Sequence, residues 1–171
     1  MVIIAAVFAR GNSKGLKNKN LLKFKKKTLL GQAVYQASSS KLINKVYISS
    51  DDKKIIKEAK KYKAIVPFIR PKFLATDNAK HLDAWRHFIN HLKKSKIKAD
   101  YIVDVPTTSP LRKISDIDKC IKLAVRKKLD MVFTTTKSSK NPYFNMLEKK
   151  GSKFRIVKTI GKKISRRQDA P

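Results

Sequence analysis

The sequence predicts an α/β fold in which helices cover both faces of a mostly parallel sheet. Three observations lead there. Strand-like and helix-like segments alternate along the chain. The first strand, residues 2–8, is a continuous apolar run of the kind buried on both faces. A length of 171 residues with 42% hydrophobic content is enough for one domain with a real core and too little for two ordinary ones.

The elements follow in order. Gly11, Asn12, Ser13 and Gly15 mark a loop after the first strand. Thr28 is placed to cap a helix whose apolar stripe is Leu29, Leu30, Ala33, Val34 and Ala37. Residues 46–49 read as a short strand, and Asp51 or Asp52 opens a helix carrying Ile55, Ile56, Ala59 and Tyr62. Residues 64–69 read as another strand, stopped by Pro71. A longer helix presents Leu82, Trp85, Phe88, Ile89 and Leu92 on one face. Residues 101–105 form the next strand, and Pro106 and Pro110 bracket a loop. Ser115 with Asp118 resembles a capping box ahead of the stripe Ile117, Cys120, Ile121, Ala124 and Val125. Residues 131–136 read as a last strand. Residues 1–136 thus make an α/β core. The stretch 137–171 differs, with basic dipeptides, Gly151, Gly161 and only short apolar pieces.

The charge is large: 42 Lys and Arg against 12 Asp and Glu, a formal +30. Lysine outnumbers arginine 34 to 8, and the lysines are scattered at helix ends and polar faces. Nucleic-acid readers lean on Arg for bidentate contacts, so the charge reads as surface bias, and no nucleic-acid partner is expected. No apolar run reaches the roughly 18 residues of a membrane span. The run 2–8 lacks the basic region and cleavage site of a signal peptide. The single cysteine, Cys120, cannot pair within the chain, which points to a reducing, cytoplasmic setting. It reads as a small buried hydrophobe. His87 and His91 share a helix face, but without the metalloprotease Glu between them they read as structural. Trp85 reads as core.

In parallel sheets, ligands bind outside the carboxyl ends of the strands. That selects the loops 9–20, 49–52 and 106–112. In the first, glycines let backbone N–H groups approach phosphate oxygens, and Arg10, Lys14 and Lys19 supply positive charge for a triphosphate. The loop fits neither G-x-x-x-x-G-K-[ST] nor G-x-G-x-x-G.

The run Ala9-Arg10-Gly11-Asn12-Ser13-Lys14-Gly15 with Lys19-Asn20 resembles the N-terminal signature of acylneuraminate cytidylyltransferases, the CMP-sialic acid synthetases. Ser49-Ser50-Asp51-Asp52, Arg70-Pro71, Leu74-Ala75-Thr76-Asp77, Thr108-Ser109-Pro110-Leu111-Arg112, Asn141-Pro142-Tyr143 and Arg166-Arg167-Gln168-Asp169 follow in the family's order, so the resemblance runs over residues 2–171. The late motifs look most like enzymes for bacterial legionaminic or related nonulosonic acids. The resemblance implies a three-layer α/β/α Rossmann-like nucleotidyltransferase fold. It implies that a sugar acid attacks the α-phosphate of CTP, that pyrophosphate leaves, that Mg²⁺ offsets phosphate charge, and that residues 137–171 belong to a dimerisation and active-site extension of a homodimer.

Residue by residue, the resemblance assigns Arg10 and Lys14 to the triphosphate, with the backbone of Gly11, Asn12, Ser13, Lys14 and Gly15. Lys19 lies near the phosphates, and Asn20 matches a nucleotide-binding asparagine. Arg70 matches an arginine of the cytidine pocket, and Ser109 and Arg112 shape the central loop, Arg112 either at the site or as a structural clamp. Arg167 matches a late active-site arginine. Two departures stand out: Pro106 replaces a common Gln, and Asn78-Ala79-Lys80-His81 replaces a small, hydroxyl-rich stretch. The family's closely spaced C-terminal aspartates are not found in the sequence, which is read as stopping before them, and Asp104 is the substitute metal candidate. Two alternatives stay open: a CTP-binding but catalytically incomplete chain, and a basic nucleic-acid-binding protein.

Overall fold

The computed structural model describes residues 1–13, 15–136, 138–161, 164, 169 and 170. The chain divides into two compact units, Met1–Phe133 and Thr134–Pro171.

In the first unit, strand β1 (Ile3–Phe8) lies at the centre of a three-stranded parallel sheet, between β4 (Lys45–Ser49) and β5 (Tyr101–Asp104). Side chains alternate across a strand, so β1 feeds two cores. Ile3, Ala5 and Val7 face Leu30, Ala33, Val34 and Ala37 of α1 (Leu29–Ser38), Ile55 and Ala59 of α2 (Lys53–Lys61), and Ile117 and Ile121 of α4 (Ile114–Lys127). Ile4 and Ala6 face Phe88 and Leu92 of α3 (His81–Lys94). The result is the expected three-layer α/β/α arrangement, and it explains why 2–8 has no polar face. A two-rung hairpin, β2 (Lys23–Phe24) with β3 (Lys27–Thr28), leads into α1.

The helix starts follow their caps. The Thr28 hydroxyl accepts the Gly31 N–H at 2.9 Å. The Asp52 carboxylate accepts from the Lys54 and Ile55 N–H groups at 2.6 and 3.1 Å, which settles the choice between Asp51 and Asp52. At α4 the capping carboxylate is Asp116, which accepts the Lys113 N–H at 3.0 Å, rather than the Ser115–Asp118 pair. Asp118 instead accepts from the buried Ser40 hydroxyl at 2.5 Å, tying the end of α1 to α4.

Two expected strands do not form. Residues 64–69 run along β4 but make only two isolated parallel bridges, Tyr47 with Ile65 and Ser50 with Ile69. Pro67, in the middle, has no N–H to continue the ladder. Residues 131–136 pair with nothing among the described residues, and Met131 and Phe133 are exposed. An apolar run without a partner edge cannot satisfy its backbone as a strand. Cys120 is half-buried rather than buried. His87 and His91 both stand against the ring of Phe68, with centroids 4.5 and 4.9 Å apart, the packing role expected of them.

In the second unit, β6 (Leu147–Lys150) and β7 (Lys153–Ile156) form an antiparallel hairpin. Its tight turn uses Gly151 at φ +61°, where a residue without Cβ is favoured.

Candidate nucleotide-binding site

The carboxyl ends of β1, β4 and β5 bring together the three loops chosen from the sequence. The first loop leaves β1 with the Ala9 N–H donating to the Ser49 carbonyl at 3.1 Å. The Gly11 N–H then donates to Asp51 Oδ1 at 3.0 Å. A Cβ at Gly11 would lie 2.6 Å from Asp52 Oδ2 and 2.7 Å from Asp52 Cβ, so the close approach to the start of α2 requires glycine. Gly15 is different: it is exposed, with open space where a Cβ would stand.

Arg10 reaches across to the 72–79 segment. Its Nη1 donates to the Thr76 carbonyl at 2.9 Å, and its Nη2 pairs with Asp77 Oδ1 at 3.0 Å, leaving about a third of the side chain exposed. Arg70 is buried. Its Nε donates to Ser49 Oγ at 3.1 Å, its Nη2 donates to the Ser49 carbonyl, and its guanidinium stands 5.8 Å from the centre of the Phe8 ring. Burial pushes the Arg70 pKa down, the Asp51 charge opposes this, and the like charge of Arg10 adds to the fall. Two cations from different loops therefore stand at the strand ends, with Asp77 beside Arg10 and the Asp51 charge acting on Arg70.

Asn20, in a 3₁₀ turn at Lys19–Leu21, is buried. Its Nδ2 donates to the Arg10 carbonyl at 2.9 Å, and its Oδ1 accepts from Thr107 Oγ1 at 2.8 Å. The side chain expected to hold nucleotide thus joins the first loop to the central loop. Lys19 is half-buried in the same turn. Arg112 takes the clamp role: Nη2 donates to the Pro106 carbonyl at 2.9 Å and Nη1 to Gln36 Oε1 at 3.3 Å. Gln36, buried in α1, returns Nε2 to the Pro110 carbonyl at 3.0 Å and to the Arg112 carbonyl. Ser109, at the exposed turn, accepts the Arg112 N–H on its carbonyl. Asn12 is exposed and Ser13 half-buried. Lys14 and Arg167 lie outside the described residues.

Asp104 ends β5 beneath the first turn of α3. Its Oδ2 accepts the Trp85 indole N–H at 3.3 Å and lies 3.8 Å from His81 Nε2. Burial raises its pKa, against the pull of His81, Trp85 and Arg112. Mg²⁺ prefers an octahedron of oxygen ligands. Among the described residues no three His, Cys, Asp or Glu side chains converge on one point, and Asp104 faces an indole and an imidazole. Asp104 is thus engaged by α3, and the described residues hold no preformed cluster of three such ligands; Mg²⁺ carried by one or two carboxylates and the substrate phosphates does not require one. Of the partners that set this geometry, the sequence singles out Asp51, Asp77 and His81 without these roles and Thr107 not at all. A motif does not show which neighbour a carboxylate or an imidazole will meet.

The fold is shared with a solved CMP:2-keto-3-deoxy-manno-octonic acid synthetase complexed with CTP. The TM-score is 0.63 at 16% identity, over 75% of this chain and 49% of that one, so the chain spans about half the length of that structure. Fold and strand-end loops define a Rossmann-like α/β/α architecture with its ligand loops at one end of the sheet. The family model described as Cytidylyltransferase matches residues 2–155, and the chain belongs to that family. It is 33% identical to the post-translational flagellin modification protein B of Campylobacter coli and 34% identical to the CMP-N,N'-diacetyllegionaminic acid synthase of Campylobacter jejuni. Each alignment covers 99% of this chain and 72% of the relative. No helix among the described residues is long and apolar enough to cross a membrane.

Proposed function

We propose that the chain carries the nucleotidyl-transfer core of a cytidylyltransferase that uses CTP to activate a nonulosonic acid related to sialic and legionaminic acids. The observation that carries this reading is the placement of Arg10, next to a loop fixed by the Gly11–Asp51 bond, and of Arg70, anchored on Ser49, at the carboxyl ends of the adjacent parallel strands β1 and β4. The similarity to a CMP-N,N'-diacetyllegionaminic acid synthase supports the choice of base and sugar.

In this reading, the sugar hydroxyl oxygen forms a bond to the α-phosphorus of CTP. The bond between the α-phosphorus and the bridging oxygen to the β-phosphate breaks, pyrophosphate leaves, and the hydroxyl proton passes to solvent. Such transfers rest on positioning and on stabilising the charge of the phosphate oxygens. Arg10 and the backbone of residues 11–15 serve the phosphates, with Lys14 and Lys19 adding charge. Arg70 and Ser109 border the nucleoside, and Arg167 serves phosphate or the sugar carboxylate. Mg²⁺, when bound, offsets phosphate charge. A homodimer belongs to the same proposal and is read by light scattering.

The test is pyrophosphate release from CTP and Mg²⁺ with a panel of nonulosonic acids, together with calorimetric titration of CTP. CTP binding that is clearly weakened but still measurable in Arg10→Ala is the expected result. Absence of CTP binding by the parent chain, or binding unchanged in Arg10→Ala, overturns the site.

A further inference from the structure

We infer that Asp104 is a positioning residue that holds Arg10 in place through the first turn of α3. The inference rests on the cytidylyltransferase reading, and it gives Asp104 a task other than metal binding.

The start of α3 has no side-chain cap: Lys80 occupies that position and makes no capping hydrogen bond. What fixes it is tertiary. His81 and Trp85 are four residues apart, on one helix face, and both meet the Asp104 carboxylate. Both rings also pack on Phe8, with centroids 5.1 Å away in each case. Asp104 and Phe8 belong to paired strands, β5 and β1, so the first turn of α3 is pinned to the sheet at two points.

The chain reaches His81 directly from the segment that holds Arg10. Thr76 and Asp77 receive the two Arg10 nitrogens, and only residues 78–80 separate Asp77 from His81. That connector is itself tied down, with the Ala79 N–H on the Thr76 carbonyl and the Asp83 N–H on the Lys80 carbonyl. Three residues held at both ends have little freedom to absorb a shift. Movement of the α3 start therefore displaces Asp77 and Thr76, and with them the Arg10 guanidinium. The Asp104 carboxylate needs only an acceptor oxygen to hold Trp85, so Asn at this position preserves the tether.

The experiment is a double-mutant cycle read by calorimetric titration of CTP, with thermal unfolding alongside. Asp104→Ala should weaken CTP binding about 10-fold, which is the size of a typical coupling between sites. Asp104→Asn should stay within about twofold of the parent, since the indole keeps its acceptor. In the Arg10→Ala background, Asp104→Ala should add less than about twofold, because the residue it positions is gone. Full additivity of the two substitutions overturns the inference, as does CTP affinity in Asp104→Ala equal to the parent's. A loss in Asp104→Asn as large as in Asp104→Ala also overturns it, pointing to the charge itself. Absence of CTP binding by the parent chain overturns instead the reading on which the inference stands.

Discussion

Asn20 joins two loops that are 87 residues apart in sequence: Thr107 Oγ1 donates to its Oδ1 at 2.8 Å, while its Nδ2 donates to the Arg10 carbonyl at 2.9 Å. Both side chains are about 5% exposed, so neither can turn to water if the other is removed. A buried polar group left unpaired costs about 1–3 kcal/mol. Asn20→Ala strands the Thr107 hydroxyl and frees the Arg10 carbonyl. We expect it to lower unfolding free energy by about 2 kcal/mol in urea titrations and to weaken CTP binding. Thr107→Val removes only the donor and should cost less. An unchanged urea midpoint in Asn20→Ala would refute the bridging role.

Gly11 and Gly15 look alike in sequence and differ in surroundings. Alanine at Gly11 sets its methyl against the Asp52 side chain, and Asp52 caps α2 through two N–H groups. Either the loop moves or the cap is displaced, and loss of such a cap costs about 1 kcal/mol. Gly11→Ala should therefore lower the melting temperature and weaken CTP binding together. Gly15→Ala, with open space around it, should leave stability within about 0.5 kcal/mol. Equal melting temperatures for the two variants would contradict this account.

This contrast marks how far the sequence could be read. The loop at the end of the first strand was legible because glycines and cations after a buried apolar run leave few structural uses. The three layers were legible from the same alternation that buries Ile3, Ala5 and Val7 on one face and Ile4 and Ala6 on the other. Residues 131–136 have the same local pattern as a true strand but pair with no edge among the described residues, and pairing is something no local pattern encodes. Asn20 reads as a ligand contact from its motif, while its tethering of two loops was not legible, because its partners lie 10 and 87 residues away. The long-range partners of Arg112 likewise lie 76 residues away, in α1, at Gln36.

Arg112 and Gln36 hold the central loop between them. The guanidinium spans the Pro106 carbonyl and the Gln36 amide oxygen, and the Gln36 nitrogen closes onto Pro110 and Arg112 carbonyls. Lysine has one nitrogen on a flexible stem and cannot reach both acceptors with the same geometry. Arg112→Lys should leave the helices protected and raise amide exchange over residues 106–112. The stability loss should be about 1 kcal/mol, since a part-exposed clamp is screened by water. Exchange unchanged in that loop, or raised equally throughout the sheet, would reject a local clamp.

His87 sets a pH dependence that can be read by melting. Its Nδ1 is buried with no hydrogen-bond partner among the described residues, and its ring lies edge-on to Phe68. Burial lowers its pKa, and the positive charges of His91, Arg70 and Lys94 act in the same direction. The folded state thus favours the neutral imidazole, whereas the unfolded chain protonates near the ordinary value of about 6.5. The sign follows: stability from this group is complete above about pH 6.5 and falls as pH drops from there toward the lower folded pKa. Glu58 loses its stabilising charge only further down, because its carboxyl, held by Lys61 and Thr28, titrates below the usual carboxylate value. Asp104, whose pKa burial raises, is common to the parent and to a variant at position 87, so the difference between the two over the interval from about pH 7.5 to 5.5 isolates His87. His87→Leu removes the buried nitrogen and keeps an apolar body against Phe68. Its melting temperature should vary less with pH over that interval than the parent's. Slopes that coincide in scanning calorimetry would show that protonation of His87 is not coupled to folding.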